Sequence, residues 1–489
     1  MLKISYRGNR ALLEGDIAPE LESQLQREFS WENPDDLNEV EYFYSYGVMY
    51  SGIARRMRDY LEGLDYEVEF VEPVLPPRMH DWVSTRPPRS ELGTRFVNEV
   101  FEGLYGFGKA PCGAGKTQAA LDIICRAGLS PTFMVVPNER PFTQAYKTFT
   151  EHSTIGEIGR IGDKNKEVRE VNVAMIQTLS KELANNPTGE IARAWKAAKV
   201  VLVDEQHRGG ADSYLNVLDT LSDVALLCGL SATPARPDER QDFLEAVLGQ
   251  RIALITRAEA IDHKLNVPLT VFVEDIPPKQ YGFVVNGQNM TSNRRKKGKT
   301  PYDEVYDDYI IYNDYRNKKA IAFCREALEQ GLSAVISVSR RAHIEELQRL
   351  DPTIVALHSQ TKGRDEIFER MTTKEIMLVA STLMDEAVDV PSLSCVAMLA
   401  GGKSPVKLEQ RIRCDRSFSG DTALGHFEKD RGFVWFPRDT ADFLTSHANN
   451  NIKLLKEICN EHPLHEFFMN DQLVPSRAAV PQRTRHLGK

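Results

Sequence analysis

Short continuous apolar runs recur along this 489-residue chain. Phe133–Val136, Lys199–Val203, Ala334–Val338 and Ile376–Ala380 are each about a strand long and rich in β-branched residues. Such runs suit strands buried on both faces. Between them lie stretches with apolar residues at helical spacing, such as Gln118–Ile124 and Arg341–Leu350. Strand alternating with helix predicts parallel sheets covered by helices. The pattern occurs twice, over 84–262 and again over 316–445. The expected fold class is therefore α/β, with two tandem parallel-sheet domains.

The flanking patterns differ. Within residues 1–83, Leu2–Tyr6 alternates like an edge strand. Ala18–Phe29 and Ile53–Leu64 read as helices, and Tyr66–Val71 reads as a strand. This predicts a small α/β accessory domain. Its second helix carries Arg55, Arg56 and Arg58 beside Tyr60, which suits either a phosphate contact or a solvated face. Pro73, Pro76, Pro77, Pro87 and Pro88 mark a linker. Residues 263–315 are expected to join the two larger domains, with Pro268–Asp275 as a strand and Tyr281–Val285 entering a hairpin at Asn286-Gly287. That connection also holds Arg294, Arg295, Lys296, Lys297 and Lys299, the densest positive run in the chain. It reads equally as a solvated loop or as a nucleic-acid contact. Residues 446–489 read as a helix through Cys459, an aromatic patch at Phe467-Phe468, and a basic tail from Arg477 to Lys489. The tail is expected to be disordered or associated with nucleic acid.

Composition narrows the class without naming a substrate. Hydrophobic content of 42% and charged content of 27% are those of a globular protein. No run approaches the length of a membrane span, and the first residues do not resemble a signal peptide. The seven cysteines form no Cys-x-x-Cys pair, which suggests a reducing cytoplasm and gives no zinc site. His462 and His465 lack further ligands nearby in sequence and read as structural. The net charge of −9 does not advertise nucleic acid, although a mean conceals local patches.

Chemistry concentrates in two places. Ala110-Pro111-Cys112-Gly113-Ala114-Gly115-Lys116-Thr117 precedes the helix predicted from Gln118. A glycine-rich turn ending in Gly-Lys-Thr can curl backbone N–H groups around a polyphosphate. Gly113 and Gly115 would permit the curl, Lys116 would reach the β/γ-phosphates, and Thr117 would offer its hydroxyl to Mg²⁺. The second place is the tip of the apolar run ending at Val203, where Asp204-Glu205-Gln206-His207 follows. One carboxylate at a strand tip can hold Mg²⁺ and the next can orient a water. Together, in this order, they predict an ATPase with ATP and Mg²⁺ as cofactors, Asp204 with Thr117 at the metal, and Glu205 as a catalytic residue.

These stretches resemble superfamily 2 helicases and translocases. Asp204-Glu205-Gln206-His207 and Leu230-Ser231-Ala232-Thr233-Pro234 look like the family's motifs II and III, and the likeness covers roughly residues 89 to 440. Within the superfamily it is most similar to the phage UvsW-type and RecG-like DNA-remodelling helicases. The resemblance implies two RecA-like domains, a P-loop on the first alone, and Gln206, His207, Ser231 and Thr233 as residues coupling hydrolysis to movement. It places Pro137, Gln177, Thr178 and Thr382 at strand ends that meet the sugar–phosphate backbone. Asp385–Pro391 resembles motif V, with Asp389 near the nucleotide and Ala387 where relatives carry glycine. Glu409–Arg416 resembles motif VI, which departs from the family around Ile412. Both alignments of it leave Arg413 and Arg416 as finger arginines, whose forked guanidinium suits a developing γ-phosphoryl charge. The family's adenine-reading glutamine has no clear counterpart; Phe96 would stand near its place, and Phe96 or Arg95 could stack on the base.

The expected function is that of an ATP-dependent DNA helicase or translocase in recombination, repair or replication, acting as a monomeric motor on branched, forked or duplex DNA, or on a single strand. The host cytoplasm of a bacterium or phage infection is the expected compartment. An RNA helicase, a restriction motor subunit and a non-catalytic DNA-binding scaffold are the alternatives.

Overall fold

The computed structural model describes every residue except 34–35, 89, 205–210, 233–240, 278–283, 286–287, 290–300, 374–377, 386–389, 403–404, 423–424, 441 and 471–489. The chain divides into two compact units, Met1–Leu265 and Asn266–Lys489.

The first unit opens with a five-stranded sheet. Strands β1 (Leu2–Arg7), β2 (Arg10–Glu14), β3 (Tyr44–Ser45), β4 (Val48–Tyr50) and β5 (Val68–Val71) lie in the order β3-β4-β2-β1-β5. The helices Pro19–Glu28 and Ala54–Gly63 bury Leu21, Leu25, Met57 and Leu61 in its core. This is the accessory domain anticipated from the sequence, but it is packed closely against the helices and turns of the larger sheet in the same unit. A side chain on Gly8 would meet the Ser222 carbonyl at 2.2 Å, and one on Gly52 would meet that of Ala246 at 2.4 Å. Asn9 donates to the Leu218 and Asp219 carbonyls at 3.3 and 3.2 Å. Arg10 pairs with Asp219, and Tyr6 stacks on Tyr105 with centroids 5.0 Å apart.

The larger sheet of this unit contains β6 (Tyr105–Lys109), β7 (Thr132–Val136), β8 (Ile158–Gly162), β9 (Asn165–Glu167), β10 (Val171–Met175), β11 (Val200–Asp204), β12 (Leu226–Ser231) and β13 (Arg251–Leu254). Their order is β9-β8-β10-β7-β11-β12-β6-β13. Only β9 runs antiparallel. The central strands are buried on both faces, as their unbroken apolar sequences require.

The second unit holds a seven-stranded parallel sheet. It comprises β14 (Leu269–Ile276), β15 (Ser333–Ser337), β16 (Val355–Leu357), β17 (Leu378–Ser381), β18 (Leu393–Met398), β19 (Gly432–Asp439) and β20 (Glu466–Met469), ordered β16-β17-β15-β18-β19-β14-β20. Two expectations change here. The strand expected over Pro268–Asp275 is no part of a connection, because β14 pairs along its whole length with β19. The helix and aromatic patch after 445 likewise belong to this unit. Helix Asp442–Asn460 contributes Ala448, Ile452, Leu455 and Ile458 to the core beneath the sheet, and Phe467 packs against it. The physical reason is burial: Leu269–Val273 is closed to solvent on both faces and needs partners on both edges. Between the units' sheets in sequence, Val284–Val285 pairs antiparallel with Gln288–Asn289, where the hairpin was expected.

Candidate nucleotide and nucleic-acid sites

The phosphate-type loop is built by β6 and the helix Lys116–Ala127. Gly113 and Gly115 take left-handed φ values of 89° and 93°, which an L side chain rarely adopts. Lys116 is the first helical residue, so the loop curls around the helix's positive end. Its ammonium donates to the Ala110 carbonyl at 3.0 Å and to that of Pro111 at 3.5 Å. The cation is thus held inside the curl. Thr117 lies partly exposed beside it.

Neighbouring strand ends supply the remaining described groups. In register, Asp204 at the end of β11 sits opposite Leu230, and Ser231 at the end of β12 sits opposite Lys109. The Ala110 N–H donates to the Ser231 carbonyl at 3.0 Å. Asp204, Ser231 and the loop therefore occupy adjacent ends on one carboxyl edge, where ligands of open α/β sheets bind. A polyphosphate fits this donor set. Mg²⁺ fits as well, because it typically takes one or two protein oxygens and completes its shell with water and substrate phosphates. Thr117 and Asp204 are the described residues whose oxygens could serve. Glu205, Gln206, His207, Thr233, Asp389 and the run Arg294, Arg295, Lys296, Lys297 lie outside the described residues.

Around the helix Glu91–Gly103 the structure corrects one expectation and adds a residue. Phe96 is 1% exposed and belongs to the core, so its ring cannot stack on a base. Arg95 is engaged by Glu259 at 2.6 Å and the Leu254 carbonyl at 2.8 Å. That contact and the bonds from Thr256 hold the Glu259 carboxyl down at about 2. Gln118, directly after Thr117, donates to Ser84 at 2.9 Å, to the Arg86 carbonyl at 3.1 Å and to Asp122 at 3.0 Å. It clasps the segment preceding the helix Glu91–Gly103 to the phosphate-loop helix. A cavity of about 310 Å³, walled by Trp82, Val83, Pro88 and Cys125, runs alongside. The family carries its adenine-reading glutamine before the loop; Gln118 comes directly after it.

Further along the same edge, Pro137 directly follows β7, and β10 runs straight into the helix Ile176–Asn185, whose first turn carries Gln177 and Thr178. The exposed Gln177 donates to the Pro137 carbonyl at 2.7 Å, joining the two strand ends. In the second unit, Thr382 follows β17 and its N–H donates to the Leu357 carbonyl at 3.2 Å. Arg413 is largely buried, its Nε donating to the Gln410 carbonyl at 2.8 Å. Arg416 is half-buried and bridges Asn266 through the backbone. Lys429, unnoticed in the sequence, lies beneath them. Its ammonium donates to the Pro391 and Leu393 carbonyls at 3.1 and 2.7 Å. Burial pulls it down to about 8, against the attraction of Cys414 and Asp415.

The arginines of the accessory domain do not form an open cationic face. Arg55 pairs with Glu72 at 2.9 Å, Arg58 with Asp59 at 2.6 Å, and Arg56 sits 5.1 Å over the Phe29 ring. Residues 1–83 carry eight Lys and Arg against 17 Asp and Glu, a net −9 that equals the charge of the whole chain.

Among the described residues no group of three His, Cys, Asp or Glu could hold a metal ion, and no helix is long and apolar enough to cross a membrane. Residues 93–236 match the family described as Type III restriction enzyme, res subunit, and residues 310–416 match the Helicase conserved C-terminal domain. The chain is 24% identical over 332 residues to helicase 22 of Sulfolobus islandicus filamentous virus (isolate Iceland/Hveragerdi); the match covers 65% of this chain and 58% of that protein. It is 25% identical over 406 residues to the DNA 3'-5' translocase XPB2 of Sulfurisphaera tokodaii, covering 74% and 86%. The crystal structure of UvsW from bacteriophage T4 superposes with a TM-score of 0.44 at 14% identity, over 96% of this chain and 98% of that one.

Proposed function

We propose, from the premise that this chain is a superfamily 2 helicase, that it is an ATP-driven DNA translocase which remodels branched DNA. The observation that carries the reading is the succession of strand ends on one sheet. The phosphate loop, Ser231 and Asp204 occupy one half of the edge, and Pro137 with Gln177 the other. From the phosphate loop after β6, a change has only β12 and β11 to cross before it reaches Pro137 after β7.

In this reading the N–H groups of Gly113, Gly115 and Lys116 bind the phosphates, and Thr117 with Asp204 holds Mg²⁺. ATP supplies the phosphoryl group whose transfer to water drives the motor. Glu205 orients that water, and Asp389, Arg413 and Arg416 serve the nucleotide from the second domain. Gln206, His207, Ser231 and Thr233 carry the change to Pro137, Gln177, Thr178 and Thr382 on the strand. Because two states of the motor differ in affinity for both ligands, nucleotide turnover becomes movement.

DNA is favoured by the relative named as a DNA translocase. Branch remodelling rests on the resemblance of the motifs to UvsW-type and RecG-like enzymes. The deciding experiment measures ATP hydrolysis across single-stranded, duplex, forked and four-way DNA and matched RNA, with fork regression and branch migration followed in parallel. Forks and junctions should stimulate most, and the remodelling should vanish in Lys116→Ala. Stimulation by RNA alone, or hydrolysis that leaves every junction intact, overturns the reading. The res-subunit match favours a restriction motor as the second reading, which predicts full stimulation by plain duplex.

A further inference from the structure

Three successive carbonyls at the entry to β18 are met by side chains, and the partners differ in kind. The Ser392 carbonyl accepts from the Ser333 and Ser394 hydroxyls at 2.5 and 3.1 Å. Its neighbours, the Pro391 and Leu393 carbonyls, both accept from the Lys429 ammonium. The serines show that a neutral hydroxyl suffices for a carbonyl here, whereas a buried ammonium forfeits its hydration. Lys429 is 4% exposed, so its charge needs a reason beyond satisfying backbone.

The place of Lys429 in the chain supplies one. It ends the strand Gly425–Lys429, which pairs antiparallel with Phe418–Thr422 and sets Lys429 opposite Phe418. The chain thus leaves the motif VI-like segment just after Arg416 and brings a cation back to it. Cys414, Asp415 and Arg416 all interact electrostatically with the ammonium, as does Cys395 from β18. The segment is also seated on the chain entering β14 and β19. The Asp415 carbonyl accepts from the Val267 N–H at 2.7 Å, and a side chain on Gly432 would meet the Cys414 carbonyl at 2.2 Å. Pro391, for its part, closes the stretch Asp385–Pro391 that resembles motif V. One ammonium therefore bonds the exit of the motif V-like stretch and sits beside the stretch that carries Arg413 and Arg416.

We propose that Lys429 is a positioning residue for ATP hydrolysis: it locks the motif V-like exit to the motif VI-like segment, so that Arg413 and Arg416 are presented as one preset unit. The inference rests on the reading of those arginines as groups that serve the nucleotide. Charge-assisted bonds are shorter and stronger than neutral ones. A small misplacement of groups that stabilise a transition state costs rate rather than binding. Burial holds the ammonium down at about 8, with Cys414, Asp415 and Cys395 favouring the charge and Arg416 opposing it. The lock is therefore charged at neutral pH and loses its charge in mild alkali.

The test uses the full chain with forked DNA, following kcat and KM for ATP from about pH 7 to about 9. In the unmutated chain kcat should fall with a midpoint at about 8 while KM holds. Stability should move the other way. The unfolded chain keeps this proton up to 10.5 and the folded chain gives it up at about 8. The stability attributable to Lys429 therefore rises across that interval, so lost turnover is not lost fold. Lys429→Met should lower kcat ~10-fold at neutral pH with KM unchanged, and it should abolish the alkaline fall. Lys429→Arg, charged throughout, should restore most of kcat and also lack the fall. A lysine that merely braces the fold would alter the melting temperature and leave kcat and its pH profile alone. Where a substitution prevents folding, the unmutated profile decides, and a level kcat over the whole range overturns the inference. A folded Lys429→Met with normal kcat overturns it too, as does one that keeps the alkaline fall. In each of these cases DNA-stimulated hydrolysis persists and the motor reading stands. If the unmutated chain hydrolyses no ATP at any pH, that reading falls with it.

Discussion

The two large parallel sheets share one architecture and place their polar groups differently. In the first, the assigned polar groups stand at the carboxyl edge: Lys116, Asp204 and Gln177 all cluster at strand ends. In the second, charge is driven inside. Arg316 is 1% exposed, forks onto Asp439 and donates to the Leu399 carbonyl at 3.0 Å. Next to it, His343 meets Asn317 at 2.8 Å, and Lys429 is buried under the segment holding Arg413 and Arg416. Fold alone does not decide function. One sheet keeps these polar groups at its carboxyl edge, whereas the other uses the buried ones to fix the position of its own loops.

Substitutions in each sheet should therefore fail in different ways. The largest effect is expected for Asp439→Leu, which strands the buried Arg316 guanidinium. It should cost about 3–5 kcal/mol, read as a fall in melting temperature, with hydrolysis lost only as the protein unfolds. If it melts normally, the pair does not brace the second sheet. Lys116→Ala should do the reverse, lowering kcat by at least ~10²-fold at unchanged melting temperature. Glu205→Gln should match it while still binding ATP. Next come Arg413→Lys and Arg416→Lys, each expected to reduce DNA-stimulated turnover at least ~10-fold with little change in ATP binding, because lysine keeps charge and loses the fork. Unchanged turnover in both would mean that motif VI lies elsewhere.

A smaller effect concerns pH. Burial and the neighbouring Arg316 charge push His343 well below its ordinary 6.5. The unfolded chain therefore binds a proton that the folded chain refuses, and stability should fall as pH drops below about 6.5, by at most ~1.4 kcal/mol per pH unit. Melting followed from pH 7.5 to 5 should show the slope, and His343→Gln should remove it. The smallest effect is expected at Arg55, Arg56 and Arg58. The exposed ion pairs of Arg55 and Arg58 are each worth less than about 1 kcal/mol, and replacing all three with Gln should leave the salt dependence of DNA binding as it was. A flattened slope there would make the accessory domain a DNA contact after all.

The edge of the first sheet was legible in the sequence because its parts are local: a glycine turn, a strand tip, a helix start. The second sheet was less so. Pairing of Leu269–Ile276 with Gly432–Asp439 joins residues far apart in sequence, and no periodicity reports such a partner. Arg55 and Arg58 illustrate the same limit for charge. Both stand out as cations in the sequence; Asp59 is already beside Arg58 there, but Glu72 meets Arg55 only once the helix Ala54–Gly63 and the chain beyond β5 fold together. Phe96 was misplaced because a helical face can be assigned from pattern while its depth cannot.

The seam between the accessory domain and the helices Ala211–Leu218 and Gln241–Leu248 bears on how such a chain can change over generations. Gly8 and Gly52 sit where no other residue fits against Ser222 and Ala246, and Asn9 caps carbonyls at the end of the first helix. The domain is thus no detachable appendage. Recombination could trade it between motors only together with the helices that come after Asp204 and Ser231, so the inheritable module is accessory domain plus seam.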